Sequence, residues 1–178
     1  TRRSSDLVGV LLQNGNHRFL FTGDAEEGAE QDILQNGIDI SADVYKVAHH
    51  GSNTATSQAF LDAVHPMYAV ISAGEGNSYG HPHAEVLNRL RAAGVSVFRT
   101  DEQGTIVAAS DGTTLTWNMS PSESWQAGEA EKSQNTEKSE KAADNQNNAE
   151  TDAAVSNPTD QTDGNSDVIV HITKTGEK

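Results

Sequence analysis

The sequence predicts a layered α/β domain with a mixed sheet over residues 1–118, followed by a segment unable to build a core of its own. Three observations carry this. Apolar runs and turn signals alternate up to residue 118 in the order β-β-α-β-α-β-α-β-β-β. An Asn-Gly pair joins the first two runs, and residues 119–166 are nearly devoid of aliphatic side chains.

Residues 6–12 (DLVGVLL) and 17–22 (HRFLFT) are strands on either side of Gln13-Asn14-Gly15-Asn16, a strong hairpin signal. Gly23-Asp24 ends the second strand. Residues 25–35 read as a helix, with Ala25, Ala29, Ile33 and Leu34 on one face, Glu26, Glu27 and Glu30 in its first turns, and Asn36-Gly37 as its stop. Residues 44–48 are the next strand. Residues 56–64 are a short helix capped by Ser57 or Thr56, with Phe60, Leu61 and Val64 inward, ended by Pro66. Residues 68–72 (YAVIS) form a buried strand leading into a Gly-rich loop over 74–80. A helix over 83–93 turns Val86, Leu87 and Leu90 inward and closes at Gly94, before a strand over 95–99. Residues 101–104 are a turn, and 105–109 with 113–117 are a last hairpin around Asp111-Gly112.

The composition places limits on function. Of the net charge of −14, residues 1–118 carry −7, residues 119–166 carry −7, and residues 167–178 balance. An acidic chain with no Lys/Arg cluster is a poor partner for phosphate backbones unless a cation or another polypeptide supplies the positive field. There is no cysteine, which rules out thiolate zinc sites and disulfides within the chain. No apolar run is long enough to span a bilayer. Residues 119–166 read as a disordered acidic linker with Trp125 as its one large apolar side chain. Residues 167–178 (DVIVHITKTGEK) regain β character and read as the start of a truncated small C-terminal module. The opening without Met suggests the interior of a longer polypeptide.

The chemistry gathers at three strand ends: Asp24 after FLFTG, His49 and His50 with Gly51-Ser52 after VYKVA, and His81-Pro82-His83 after the 74–80 loop. Successive strand residues point to opposite faces, so at least one of His49 and His50 must be presented at the sheet's edge. Asp24 is either a metal ligand or the N-cap of the following helix. The histidine pair suits metal binding, proton donation or phosphate contact. Gly51 would let a substrate approach the backbone, and Ser52 would orient a histidine or bind an oxyanion. His83 begins a helix, while His81 has no obvious local role. Oxygen and imidazole donors of this kind suit Zn²⁺, Mn²⁺ or iron.

FLFTGDAEEGAEQDIL, DVYKVAHHGSNTATSQAFLDAVHP and YAVISAGEGNSYGHPHAEVLNRL, in this order, resemble the second half of the metallo-β-lactamase fold. The closest subgroup is the C-terminal domain of the competence DNA-uptake protein ComEC/Rec2 and its secreted stand-alone relatives. The resemblance implies the C-terminal half of an αββα sandwich over residues 1–118. It implies a binuclear divalent-metal site (Zn or Mn) with Asp24, His50 and His81 as ligands. It also implies catalytic roles for His49, His50 and Ser52, and substrate contacts from Gly51, Ser52, Tyr79 and His83. The implied activity is hydrolysis of a small-molecule or nucleic-acid phosphodiester, linked to DNA uptake. The family's HxHxDH motif belongs to the first half of the fold and does not occur here. The missing half is therefore an expected partner, and the chain alone is expected to be inactive and to leave a sheet face open. Extracellular or cell-surface location, with attachment through the C-terminal module, is the matching expectation. A lactonase or other ester hydrolase of the same fold, and a non-catalytic surface-binding protein, are the rival readings.

Overall fold

A computed structural model of the protein describes residues 8–128 and 168–172. Strands β1 (Val10–Asn14) and β2 (His17–Phe21) pair antiparallel with Asn14 opposite His17, so Gly15-Asn16 alone closes the hairpin. Gly15 takes φ 55° there, which a two-residue hairpin turn demands. The chain continues through α1 (Glu27–Gln35), β3 (Val44–Lys46), α2 (Gln58–Val64), β4 (Tyr68–Ile71), α3 (Ala84–Ala92) and β5 (Ser96–Arg99). The sheet order is β1-β2-β3-β4-β5, and the pairs from β2 to β5 are parallel.

Sequential strand order with right-handed crossovers puts all the connecting helices on one face. Tyr45, Val47, Ala69, Ile71 and Val97 point to that face, where Phe60, Leu61 and Val64 of α2 and Val86, Leu87 and Leu90 of α3 cover them. The alternate residues Phe19, Val44, Val70 and Phe98 point the other way. That second face is covered by a small antiparallel sheet in the order β7-β6-β8, built from β6 (Ile106–Ser110), β7 (Leu115–Trp117) and β8 (Val168–Ile172). Trp117 stacks on Phe98 with centroids 4.0 Å apart and planes 17° apart. Burying a ring such as Phe98 contributes about 2–3 kcal/mol. The result is three layers, helices on sheet on sheet, a mixed α/β fold with a mixed sheet as the pattern predicts.

Four local readings change. Glu26, not Asp24, is the N-cap residue of α1, and no side chain caps that helix. Residues 101–104 belong to a single helical turn, α4 (Thr100–Gln103), closed by Gly104 at φ 76°. Both faces of the large sheet are covered, and what stays open is the edge strand β1, where Val10 is 48% and Leu11 37% exposed. The folded unit also extends past residue 118, because residues 119–128 wrap onto it as a strap.

The strap has specific anchors. Ser122 N donates to Val97 O (2.7 Å), covering the outer edge of β5, and Gly128 N donates to Pro82 O (2.9 Å). Trp125 packs on the helix-side core with the Arg91 guanidinium 5.7 Å from its ring centre. Arg99, 2% exposed, binds both oxygens of Asp101 (3.2 and 2.6 Å), Glu102 Oε1 (2.8 Å) and Gln126 O (2.6 Å). The rest of the expected linker, and residues 167 and 173–178 of the expected module, lie outside the described residues. Val168–Ile172 is the strand its β pattern predicts, paired with β6. No helix among the described residues is long and apolar enough to cross a membrane.

Candidate active site

The carboxyl ends of β2, β3 and β4 open onto one cleft of about 280 Å³, at the end of the sheet where parallel α/β folds bind ligands. Asp24, His49, His50, His81, Asn77 and Tyr79 are in its wall. Residues that follow three separate strands therefore meet in one cleft.

Asp24 follows Gly23 (φ 54°), which turns the chain out of β2. Its carboxylate does not cap α1 and instead faces the histidines, with Oδ1 3.9 Å from His50 Nε2.

The histidine pair is presented by strained backbone. Strand β3 stops at Lys46, and in the tight turn Ala48–Gly51 both His49 (φ 47°, ψ 45°) and His50 (φ 55°, ψ 18°) are left-handed. That conformation costs a non-glycine residue about 1–2 kcal/mol. Hydrogen bonds on both sides hold it: His49 N to Gly23 O (3.1 Å), Ser52 N to His49 O (2.8 Å) and Ala48 N to Tyr45 Oη (3.2 Å). Farther along, the buried carboxylate of Glu30 accepts from Thr56 N and from Ser57 N (2.9 Å), fixing the loop that leaves the turn. Because the turn breaks strand alternation, both histidines enter the cleft, their rings 6.4 Å apart.

Their environments differ. His50 Nδ1 donates to Ser72 O (2.6 Å), which leaves Nε2 as the ring nitrogen on the cleft side, 3.9 Å from Asp24 Oδ1. His49 Nδ1 is buried, makes no hydrogen bond among the described residues, and stands 3.4 Å from Glu26 Oε1.

His81 is 8% exposed, and Asn77 grips its backbone from both sides, Oδ1 accepting from His81 N (2.9 Å) and Nδ2 donating to His81 O (2.7 Å). Its ring lies 5.6 Å from Tyr79, nearly parallel at 16°, and 5.8 Å from His49. Burial, followed by the neighbouring His83, His49 and His50, pulls its pKa from 6.5 down to about 4, against an upward pull from Asp24. At neutral pH it is an uncharged imidazole.

The remaining expected site residues serve the frame. His83 Nδ1 accepts from Asn53 N (2.9 Å) and its Nε2 donates to Tyr79 O (3.1 Å), so both ring nitrogens are committed to loops. Ser52 is buried, and its Oγ bonds Thr54 Oγ1 (3.1 Å) rather than facing the cleft. Gly51 (φ 85°) makes room for the neighbouring loop: a Cβ there would meet Pro82 Cβ at 2.7 Å. The sequence reading gave Asn77 no role and Glu26 and Glu30 only a place in the first turns of a helix, whereas all three clamp loops together without a motif of their own. It also passed over Lys46, at the end of β3, whose pKa burial pulls down while Asp24 pushes it up.

The donor set fits part of a divalent-cation site. Two donors on one tetrahedral ion at about 2.1 Å each stand roughly 3.4 Å apart, which a small rotation of Asp24 reaches from 3.9 Å. The carbonyl behind His50 is the usual support for a ligating imidazole. Among the described residues no three His, Asp or Glu groups are arranged to hold an ion, so an ion at Asp24 and His50 would need further donors.

No family model matches the chain. It is 41% identical over 106 residues to ComE operon protein 3 of Bacillus subtilis, a match covering 60% of this chain and 14% of that protein. It is 42% identical over 93 residues to competence protein ComA of Neisseria gonorrhoeae, covering 52% of this chain and 14% of that one. With recombination protein 2 of Haemophilus influenzae it shares 38% identity over 97 residues, 54% of this chain and 12% of the relative. The chain thus spans only about one seventh of the length of the curated relatives it matches. These similarities support a ComEC/Rec2 competence-related family.

Proposed function

We propose that this domain is the second half of a metallo-β-lactamase-type hydrolase that cleaves phosphodiesters, nucleic acid among them, in the course of DNA uptake at the cell surface. The observation that carries the reading is the Asp24–His50 pair, 3.9 Å apart with the back of His50 tied to Ser72 O. The helix–sheet–sheet layering agrees with three layers of an αββα sandwich, and the competence names of the relatives favour DNA as the substrate.

Asp24 and His50 would hold a divalent cation, Zn²⁺ or Mn²⁺, with His81 near by and the remaining ligands on a first half carrying the HxHxDH motif. A cation held there, or a pair of them, supplies Lewis acidity at the phosphoryl oxygen and an activated water. The chain's own residues supply the rest. His49, backed by Glu26, is the group placed to hand a proton to the leaving oxygen. Asn77 fixes the loop of His81, and His83, Gly51 and Ser52 hold the loops in register.

The test is hydrolysis of bis(p-nitrophenyl) phosphate in Mn²⁺ by the polypeptide joining both halves. Asp24→Ala and His50→Ala should each lower kcat at least 100-fold, and Ser52→Ala less than 5-fold. Full activity in Asp24→Ala would sink the reading, and turnover of lactones in place of phosphodiesters would favour an ester hydrolase. A non-catalytic binding role is favoured by one observation, the two-donor limit among the described residues. Ligand binding that survives both chelation and His50→Ala would establish it.

A further inference from the structure

Tyr79 stands out on the rim of the cleft. Among the described residues the large apolar side chains left more than a third exposed are Val8, Val10, Leu11, Ile38, Met67 and Tyr79. Of these, Tyr79 is the aromatic one, it is 65% exposed, and it lies in the wall of the cleft. One face of its ring is backed by His81 at 5.6 Å and 16°. His81 in turn is nearly parallel to His50, at 19° and 6.3 Å. The three planes form a stepped series from the rim inwards to the Asp24–His50 pair. Asn77 holds the loop rigid from within by its two bonds to His81, and the Nε2–H of His83 holds it at Tyr79 O. An aromatic side chain that is fixed, supported behind and open in front is a stacking surface.

The charge around it says how a substrate is gripped. Among the described residues no Lys or Arg is in the wall of the cleft, and Asp24 and the net charge of −14 oppose a polyanion. Lys46, which feels the charge of Asp24 from the end of β3, is not in that wall. Phosphate contacts from the wall itself therefore contribute little, whereas stacking of a planar ring is insensitive to that charge. Every nucleobase has such a face, but in a duplex it is already stacked and paired. We propose that Tyr79 is the platform for an unpaired nucleobase flanking the scissile phosphate, which makes single-stranded nucleic acid the substrate class of the cleft. This rests on the phosphodiesterase reading for its chemistry but is a statement about binding, so it is tested without turnover.

The measurement is fluorescence anisotropy of an end-labelled eight-nucleotide DNA strand titrated with the full chain at low salt. The probe is compared with a strand of equal length made abasic throughout and with the blunt duplex. Base stacking on an aromatic ring corresponds to about 5- to 150-fold in affinity. Tyr79→Ala should lose that much, Tyr79→Phe should stay within 2-fold of wild type, and the abasic strand and the duplex should bind wild type as weakly as the intact strand binds Tyr79→Ala. With no Lys or Arg among the described residues of the cleft wall, the affinity should fall little with added salt. Equal affinity of Tyr79→Ala and wild type, equal binding of the duplex, or no binding of the strand by wild type would each overturn the proposal. Failure of the hydrolysis assay with these binding differences intact would overturn the phosphodiesterase reading alone.

Discussion

Replacing Glu30 by glutamine tests how the histidine turn is held. The Glu30 side chain is 0% exposed, and its two oxygens accept from the amides of Thr56 and Ser57. Glutamine has the same shape but only one accepting oxygen. One amide would then face an NH₂ group and lose its partner, at about 1–3 kcal/mol. The surviving bond would drop from charge-assisted to neutral, at about 1 kcal/mol more. Relief of the buried carboxylate's desolvation offsets part of this. The expected net loss is about 2–3 kcal/mol, or roughly 10 °C in Tm for a domain of this size. The assay is urea unfolding followed by far-UV circular dichroism, with Tm from a thermal scan. Glu30→Ala, which orphans both amides and leaves a cavity, should cost more, about 4 kcal/mol. A Glu30→Gln protein with the wild-type midpoint would refute the argument, since it would mean that the two bonds only balance the cost of burying the charge.

Three further outcomes follow from the same contacts. Burial raises the Tyr45 pKa from 10.0 to about 12, so the unfolded chain ionises first as pH rises. Stability is whole below about pH 10 and declines by about 3 kcal/mol up to pH 12, a loss that urea midpoints across this range should trace and that Tyr45→Phe should remove. Gly51→Ala places a Cβ 2.7 Å from Pro82 Cβ at a residue with φ 85°, so it should lower stability by at least about 2 kcal/mol and shift the His81 resonances in an NMR spectrum. Arg99→Ala leaves Asp101 and Glu102 without their buried cation and frees Gln126 O, at about 3–5 kcal/mol; hydrogen exchange should then report an unprotected Ser122 amide.

What could be read from the sequence was whatever repeats with a short period or sits at a strand's end. The inward faces of α2 and α3, the hairpin at Gly15-Asn16 and the position of Asp24, His49/His50 and His81 beyond successive strands all follow from alternation and turn chemistry. The roles within the site were less legible, because they depend on contacts between residues far apart in the chain. Nothing local distinguishes His49 from His50, yet Ser72 O stands behind one and Glu26 behind the other. The left-handed turn overrides strand alternation and brings both rings into one cleft, which the two residues' propensities oppose. His83 carries the same motif signal as His81, but two loop contacts use up its nitrogens. Residues 119–128 have a linker's composition, and it is specific contacts, the pocket for Trp125, the buried Arg99 and the backbone bonds of Ser122 and Gly128, that make them part of the fold. A composition argument sees average burial and misses a strap held by a few such contacts.

The most direct measurement of the central claim is a titration of the ¹⁵N-labelled chain with Zn²⁺, following the histidine ring nitrogens by long-range ¹H–¹⁵N correlation. The account predicts that His50 Nε2 moves furthest, that His83 stays in place, and that Asp24→Ala abolishes the His50 response. Zn²⁺ that leaves His50 Nε2 unmoved, or that shifts His83 with Asp24 having no effect, would contradict it.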